Sequence, residues 1–160
     1  VKNYFYKMVD EVAIGQMIDV DLTTRKKVAK DLIDQKNLLK TASYSFIRPM
    51  QIGVALAGKI NTEIEKLCEE LGNYLGIAFQ TQDDLLDIIS SENKLGKTTS
   101  LDKSQNQHTY FTYFKSQEQG KKIIKENFAK AKSLVGKFNL QKQAKTNLFA
   151  LIETIEKRTY

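Results

Sequence analysis

The most constraining feature of this chain is a long stretch of apolar residues at helical spacing, from residue 62 to about residue 90. Its members recur at intervals of three and four positions: Ile64, Leu67, Cys68, Leu71, Leu75, Ala78, Phe79, Leu85, Leu86 and Ile89. This spacing places them on one side of an α-helix that packs in a core. Thr62 followed by Glu65 matches a capping box and predicts the start of the helix. We therefore predict one long helix that ends near Ser90.

The same periodicity covers most of the remaining chain, which contains only one proline, Pro49, and eight glycines. Because proline cannot donate the backbone hydrogen bond of a helix interior, we expect a bend near Pro49. The polar residues from 91 to 108 predict a loop. No segment shows the alternation of a strand, so we predict an all-α helical bundle. The other predicted helices cover residues 1 to about 20, about 25 to 58, 108–117, 118–138 and 141–157.

Composition limits the environment and the class of partner. The net charge is +6, but the lysines are spread along the chain and alternate with apolar residues. That spread indicates solvated helix faces rather than a nucleic-acid-binding patch. Cys68 is the single cysteine, so no internal disulfide can form, and a cytoplasmic location is expected. No apolar run approaches the roughly 20 residues that cross a bilayer, so we predict no transmembrane segment.

Three aspartates near the end of the long predicted helix form the clearest functional pattern. Asp83, Asp84 and Asp87 follow Gln80 at spacings that place all of these side chains on one broad helix face. Neighbouring carboxylates repel one another, and a hard divalent cation removes that repulsion. A solvated acidic surface is the alternative, but apolar residues precede and follow the motif on nearly every turn. The pattern therefore indicates a Mg²⁺ site.

Basic residues elsewhere in the chain could supply the opposite wall of an anion site. Lys40 lies in a predicted helix among apolar and small residues, and Lys97 lies in the predicted loop after the aspartates. Because an ammonium group is a good point-charge partner for a diphosphate, both lysines are candidate ligands of such a group. For Arg48 we expect a solvated surface charge. We predict that the aspartates face an apolar-walled cavity or groove that opens towards Lys40 and Lys97.

Four elements occur in order along the chain: Gly15-Gln16-x-x-Asp19, Lys40-Thr41, Gly76-x-x-Phe79-Gln80-x-x-Asp83-Asp84-x-Leu86-Asp87 and Leu95-Gly96-Lys97. In this order they resemble the polyprenyl synthetases, the family of farnesyl, geranylgeranyl and longer-chain diphosphate synthases. The resemblance covers roughly the first two-thirds of the chain and implies that residues 1–160 are the C-terminal portion of a single domain with an isoprenoid-synthase-type fold.

The resemblance also implies an activity and a set of site residues. The activity is Mg²⁺-dependent prenyl transfer, in which isopentenyl diphosphate condenses with an allylic diphosphate to give a longer polyprenyl diphosphate. The full-length enzyme would be a homodimer. The implied roles are Mg²⁺ binding for Asp83, Asp84 and Asp87, binding of the allylic diphosphate for Lys40 and Lys97, and catalysis close to the reacting carbon for Lys40, Thr41 and Gln80.

The chain departs from that family at several positions. The family's first aspartate-rich motif is absent, since Asp31 and Asp34 form only a spaced pair on a lysine-rich predicted helix. We therefore expect the chain to be the C-terminal half of the enzyme, inactive alone and with an uncovered apolar flank on the helix of residues 62–90. Ser100 and Gln107 stand where the family commonly has glycine and lysine. We expect Gln107 to weaken the anion site by one positive charge.

Three other classes of protein are alternatives to a prenyltransferase. A non-catalytic partner subunit of a heteromeric synthase is the main alternative, but such a subunit has no need of the intact aspartates and lysines. A terpene cyclase-like enzyme fits the elements around Lys40-Thr41 and Leu95-Gly96-Lys97 less well than a chain-elongating enzyme does. A nucleic-acid-binding protein would need a clustered lysine face. The sequence therefore favours the prenyltransferase.

Overall fold

The computed structural model describes residues 1–95 and 107–158, with side chains described for residues 1–90 and 107–158. These residues form helices and no strand, which confirms the all-α prediction. None of the helices in this part of the chain is both long enough and apolar enough to cross a membrane. The elements are α1 (Lys2–Thr23), α2 (Lys30–Asn37), a π-helix (Leu38–Ile47), α3 (Arg48–Leu56), α4 (Thr62–Leu95), α5 (Tyr110–Phe114), α6 (Gln117–Lys137) and α7 (Lys142–Glu156).

The long predicted helix is α4, and it is the central element of the fold. It has 34 residues and ends at Leu95 rather than near Ser90. It packs mainly against α6 and the π-helix. Its apolar stripe forms the core together with residues of α6 and α7, and the buried cluster contains Leu67, Leu71, Leu75, Ala78, Phe128, Ala131, Val135 and Ile152. The apolar spacing therefore predicted both the helix and its buried face.

The predicted capping box at the start of α4 is wrong. Asn61 caps the helix, since its side-chain oxygen accepts a hydrogen bond from the backbone N–H of Ile64 at 2.9 Å. The Glu65 carboxylate instead accepts a hydrogen bond from the Tyr4 hydroxyl of α1. Asparagine and threonine are both good capping residues, and the contact with a distant tyrosine directs Glu65 away from the helix end.

The distortion predicted near Pro49 takes the form of a ten-residue π-helix directly before it. α2, the π-helix and α3 follow one another without a gap, and this helical segment starts at Lys30 rather than near Arg25. The backbone N–H of Arg48 bonds to the carbonyl of Ser43, five residues earlier. Pro49 lies in the first turn of α3, where its missing N–H is tolerated. π-helical turns within α-helices frequently lie at functional sites.

Two glycines allow α1 and α4 to approach the backbone of the π-helix closely. A Cβ atom placed on Gly15 would lie 2.5 Å from the backbone nitrogen of Lys40. A Cβ atom placed on Gly76 would lie 2.2 Å from the Cβ of Ala42. Both distances are far shorter than van der Waals contact, so any side chain at these positions would force the helices apart. The two glycines therefore hold the polar residues of α1 and α4 beside those of the π-helix.

We expect Gly76→Ala to destabilise the fold by about 1–3 kcal/mol, because the added methyl group must push α4 away from Ala42. Thermal unfolding followed by circular dichroism measures this change. The matched control is Gly53→Ala in α3, where a Cβ would meet no atom within 4 Å. There the helix propensity of alanine should raise stability by up to about 1 kcal/mol. Stabilisation by both substitutions would contradict the close packing at Gly76.

Arg48 is not the solvated surface charge that the sequence predicted. Only 12% of its side chain is exposed. Its guanidinium donates two hydrogen bonds to the Glu11 carboxylate, at 2.5 and 2.8 Å, and one to Gln51 at 2.6 Å. Burial alone would raise the pKa of Glu11, but hydrogen bonds from Arg48 and Ser43 and the charge of Arg48 lower it overall. This bidentate pair fastens α1 to the start of α3.

In the described part of the chain, the largest group of exposed large apolar residues lies on α1, not on the helix of residues 62–90. Among the described side chains of α4, Ile89 is the only large apolar residue that is exposed, and its exposed fraction is 38%. The prediction of an uncovered flank on that helix is therefore wrong, because the π-helix and α6 cover it. On α1 the exposed apolar side chains are Phe5, Tyr6, Val9, Ile14, Met17 and Val20.

Candidate functional site

A cavity of about 220 Å³ lies where α1, α2, the π-helix, α4 and residues 107–109 meet. All of its lining residues are polar or charged, so the predicted apolar walls are wrong. The helices instead direct acidic and basic side chains into the same space. The acidic residues in the lining are Asp19, Asp83, Asp84 and Asp87, and the lysines are Lys36 and Lys40. The structure therefore brings the predicted aspartates and Lys40 together at one cavity.

The basic wall of the cavity consists of two lysines that share one carboxylate. Lys40 Nζ lies 2.5 Å from Asp19 Oδ2, and Lys36 Nζ lies 3.4 Å from Asp19 Oδ1. Burial would raise the pKa of Asp19, but the hydrogen bond from Lys40 and the charges of both lysines lower it overall. Asp19 is therefore a carboxylate that holds two ammonium groups at the edge of the cavity.

A chain of hydrogen bonds connects the π-helix to the aspartates of α4. The Thr41 hydroxyl donates to Gln80 Oε1 at 2.6 Å, and Gln80 Nε2 donates to Asp84 Oδ1 at 2.9 Å. These two bonds fix which end of the Gln80 amide points to which neighbour. The close approach of α4 at Gly76, one turn before Gln80, brings the partners within reach. The arrangement leaves oriented oxygen dipoles beside the acidic residues.

Asp84 is a buried carboxylate with an unused oxygen. Its Oδ2 atom is buried and makes no hydrogen bond, whereas Oδ1 accepts one from Gln80. Burial raises the pKa of Asp84 to about 6, against the hydrogen bond from Gln80. A buried, unpaired carboxylate oxygen is costly unless a cation or a donor compensates it. This atom therefore fits a site for a divalent cation.

The other two aspartates lie in different surroundings. Asp83 Oδ1 accepts a hydrogen bond from Arg158 at 2.7 Å, and the Arg158 guanidinium also lies 4.2 Å from the centre of the Phe79 ring. Asp87 is exposed. Within the described residues, no three His, Cys, Asp or Glu side chains converge closely enough to hold a metal ion. Magnesium needs no such cluster, since one or two carboxylates, several waters and substrate phosphates suffice to bind it.

Residues 107–109 form the remaining wall, and hydrogen bonds from Lys36 and from the adjacent Tyr110 fasten this segment to α2. Lys36 Nζ donates to the backbone carbonyl of His108 at 3.0 Å, and the Tyr110 hydroxyl donates to Asp34 Oδ1 at 2.5 Å. Lys30 Nζ also lies 2.6 Å from Asp34. The acidic residue at position 34 therefore positions the wall and does not face the cavity.

Sequence reasoning missed Lys36 in the basic wall and the role of Asp19, the carboxylate that holds both lysines. Asp19 belongs to the Gly15-Gln16-x-x-Asp19 element, so a signal for it was present in the sequence. Lys36 precedes Lys40 by one helical turn, a spacing that places both on one face. Gln107 lines the cavity as an uncharged side chain. Lys97 and Ser100 lie outside the described residues, so the implied role of Lys97 stays a prediction.

Comparisons with known proteins agree with these observations. A family model described as polyprenyl synthetase matches residues 1–144. The chain is 31% identical over 140 residues to a farnesyl diphosphate synthase of Bacillus subtilis, covering 86% of this chain and 45% of that protein. It is 33% identical over 107 residues to a geranylgeranyl diphosphate synthase of Methanosarcina mazei, covering 64% and 31%. The chain spans less than half the length of these curated relatives.

The fold is also similar to that of a solved structure. The crystal structure of a geranylgeranyl pyrophosphate synthase from Corynebacterium glutamicum, complexed with isoprenyl diphosphate and magnesium, aligns with a TM-score of 0.78. The alignment covers 99% of this chain and 55% of that chain at 19% sequence identity. The comparison shows that the described helices have the arrangement of one part of that larger all-α fold.

Proposed function

This chain belongs to the polyprenyl synthetase family, and we propose that its cavity binds the diphosphate group of an allylic substrate together with Mg²⁺. The enzyme condenses isopentenyl diphosphate with that allylic diphosphate and releases a longer polyprenyl diphosphate. The proposed roles of the site residues are those implied by the sequence: Mg²⁺ binding for Asp83, Asp84 and Asp87, diphosphate binding for Lys40 and Lys97, and catalysis for Lys40, Thr41 and Gln80.

The observation that supports this proposal is the charge arrangement of the cavity. Lys40 lines it together with the acidic face of α4, on which one oxygen of Asp84 is buried and unpaired. A diphosphate carries several negative charges, so it requires cations around it. Lys40 supplies one directly, and Asp83, Asp84 and Asp87 would hold Mg²⁺ on the α4 side. Bound there, Mg²⁺ would neutralise part of the charge of the diphosphate.

The remaining side chains fit the chemistry of an allylic cation. Heterolysis of the allylic C–O bond sends the electron pair to the departing diphosphate, and Lys40 stabilises the negative charge that develops there. The oxygens of Thr41 and Gln80 offer dipoles to the allylic cation without forming a covalent bond to it, because neither is a strong nucleophile. The double bond of isopentenyl diphosphate then forms the new C–C bond, and loss of a proton completes the step.

The chain supplies acidic ligands for only one side of the substrate diphosphate, because its sequence holds one aspartate-rich motif. Condensation also requires a second substrate to be held close to the first, which contributes much of the rate enhancement in such reactions. We therefore propose that the 160-residue chain by itself binds a diphosphate but does not complete the condensation.

Two further properties complete the proposal. Cys68 is buried and free, and burial raises the pKa of its thiol to about 11. A thiol of this kind is inert and is compatible with the reducing cytoplasm, where we place the enzyme.

Following the family resemblance, we also propose that the enzyme acts as a homodimer.

The test is incorporation of radiolabelled isopentenyl diphosphate by the protein expressed from its complete reading frame. Dimethylallyl, geranyl and farnesyl diphosphate serve as co-substrates. We expect elongated diphosphates in the presence of Mg²⁺ and none with EDTA. The 160-residue chain is the matched sample and should give no product. A protein that binds pyrophosphate but elongates none of the co-substrates would contradict the proposed activity.

A further inference from the structure

We propose that the C-terminal end of α2 is a second anion-binding element of this cavity, in which Lys36 and Asn37 bind the substrate diphosphate together with Lys40. The inference rests on the proposed function, and it names residues that neither the sequence motifs nor the family resemblance assigned. Both residues line the cavity and both are buried, with exposed fractions of 6% for Lys36 and 1% for Asn37.

Lys36 has the position and the free capacity of an anion ligand. Lysine is seldom buried to this degree unless a partner holds its charge. Its Nζ donates to the His108 carbonyl at 3.0 Å and lies 3.4 Å from Asp19 Oδ1. An ammonium group has three donors, so one remains for a phosphate oxygen. The 3.4 Å contact is longer than the 2.5 Å contact of Lys40 with the same carboxylate, so Asp19 holds Lys36 less closely than it holds Lys40.

Asn37 provides an independent observation. Its Nδ2 and Oδ1 atoms are both buried and have no partner within hydrogen-bond distance, although the side chain faces the Tyr110 hydroxyl. Buried polar side chains nearly always have close partners, so an amide without one in the wall of a polar cavity points to a ligand. An Nδ2 donor beside the ammonium of Lys36 matches a phosphate oxygen, which accepts hydrogen bonds from both kinds of donor.

Lys36 also supplies a positive charge close to Gln107, the position at which the family commonly has a lysine. The His108 carbonyl that Lys36 contacts belongs to the residue directly after Gln107. A positive charge from α2 therefore lies at the end of the cavity where the chain has an uncharged glutamine. With Lys40 one helical turn further on, the two lysines form a pair of cations along one wall.

A purely structural role for Lys36 is the competing explanation, since its contact with the His108 carbonyl fastens residues 107–109 to α2. Substitution by glutamine separates the two roles. Glutamine keeps a donor for the His108 carbonyl but removes the positive charge, whereas methionine removes both. Arginine keeps the charge, and Asn37→Ala tests the amide without changing any charge.

The experiment measures the affinity of the protein for inorganic pyrophosphate in the presence of Mg²⁺, by isothermal titration calorimetry, alongside the melting temperature of each variant. We expect Lys36→Gln to weaken binding about tenfold, Asn37→Ala about threefold to tenfold, and Lys36→Arg less than about threefold. The matched control is Lys66→Gln on α4, whose side chain is 77% exposed, and its affinity should stay within about twofold of the wild type.

The outcomes separate this inference from the proposed function. Wild-type affinity for both Lys36→Gln and Asn37→Ala, with weak binding by Lys40→Met, would overturn the inference and leave the proposed function standing. Loss of affinity in Lys36→Met but not in Lys36→Gln would show a structural fastener and overturn it as well. Absence of pyrophosphate binding by the wild type would overturn both. If Lys36→Gln unfolds at the assay temperature, Asn37→Ala and Lys36→Arg decide.

Discussion

Lys40→Ala is expected to lower the turnover number of the complete enzyme by about a hundredfold to a thousandfold while the protein stays folded. Lys40 is the cavity lysine with the shortest contact to Asp19, 2.5 Å from Oδ2, and 35% of its side chain is exposed. Its ammonium can therefore turn from Asp19 to a bound diphosphate. Removing a charge that stabilises a leaving group raises the barrier of the chemical step, so kcat should fall at saturating substrate. Steady-state and single-turnover assays measure the change.

The matched control for Lys40→Ala is Lys66→Ala, which removes the same charge from an exposed position of α4. We expect kcat of that variant to stay within about twofold of the wild type. An increase in KM of Lys40→Ala with an unchanged kcat would assign Lys40 to ground-state binding alone. Near-normal kcat and KM at saturating Mg²⁺ would show that the lysine is not part of the site.

Asp84→Asn is expected to change stability and activity in opposite directions. Oδ2 of Asp84 is buried and accepts no hydrogen bond, and burial raises the pKa of Asp84 to about 6. An aspartate whose pKa is raised by folding lowers the stability of the folded protein at any pH above that raised pKa, where the side chain must be ionised. This cost disappears as the pH falls towards the pKa of an ordinary aspartate. The amide should therefore stabilise the metal-free protein by roughly 1–3 kcal/mol near neutral pH and by much less near about pH 4.

The same substitution should lower Mg²⁺-dependent turnover of the complete enzyme by about a hundredfold or more, because asparagine lacks the charge that a divalent cation requires. Urea unfolding in EDTA measures the stability, and the isopentenyl diphosphate assay measures the turnover. Asp87→Asn is the control for the stability measurement, since Asp87 is exposed and its substitution should change the free energy of unfolding by less than about 0.5 kcal/mol. Destabilisation by Asp84→Asn in metal-free buffer would contradict the assignment of a strained, unpaired carboxylate.

Local patterns predicted much of the fold and the centre of the site. The apolar spacing from Ile64 to Ile89 is a property of one helix and its buried face, so it identified α4 without any knowledge of what covers it. The aspartates of the motif share a helix face for the same reason. The sequence motifs also placed Thr41 and Gln80, which lie on different helices, in one site. In the structure the Thr41 hydroxyl donates a hydrogen bond to Gln80 Oε1 at 2.6 Å.

Features that depend on contacts between distant residues could not be predicted in this way. Arg48 is held in a buried ion pair by Glu11, which lies 37 positions earlier in the sequence. Glu65 lost its capping role to a contact with Tyr4, 61 positions away. The cavity is polar because Asp19, Lys36 and Lys40 enter it from α1, α2 and the π-helix. The sequence around the aspartates is apolar only on the face of α4 that packs in the core.

The most direct test of the account is the affinity of the protein for inorganic pyrophosphate, measured by calorimetric titration in Mg²⁺ and again in EDTA. A cavity that joins carboxylates and lysines around one diphosphate should bind pyrophosphate at least about tenfold more tightly with Mg²⁺ than without it. The gain from Mg²⁺ should disappear in Asp84→Asn, whereas Lys40→Met should weaken binding under both conditions. Equal affinity in Mg²⁺ and EDTA, unchanged by Asp84→Asn, would contradict the proposal that this cavity is a magnesium-dependent diphosphate site.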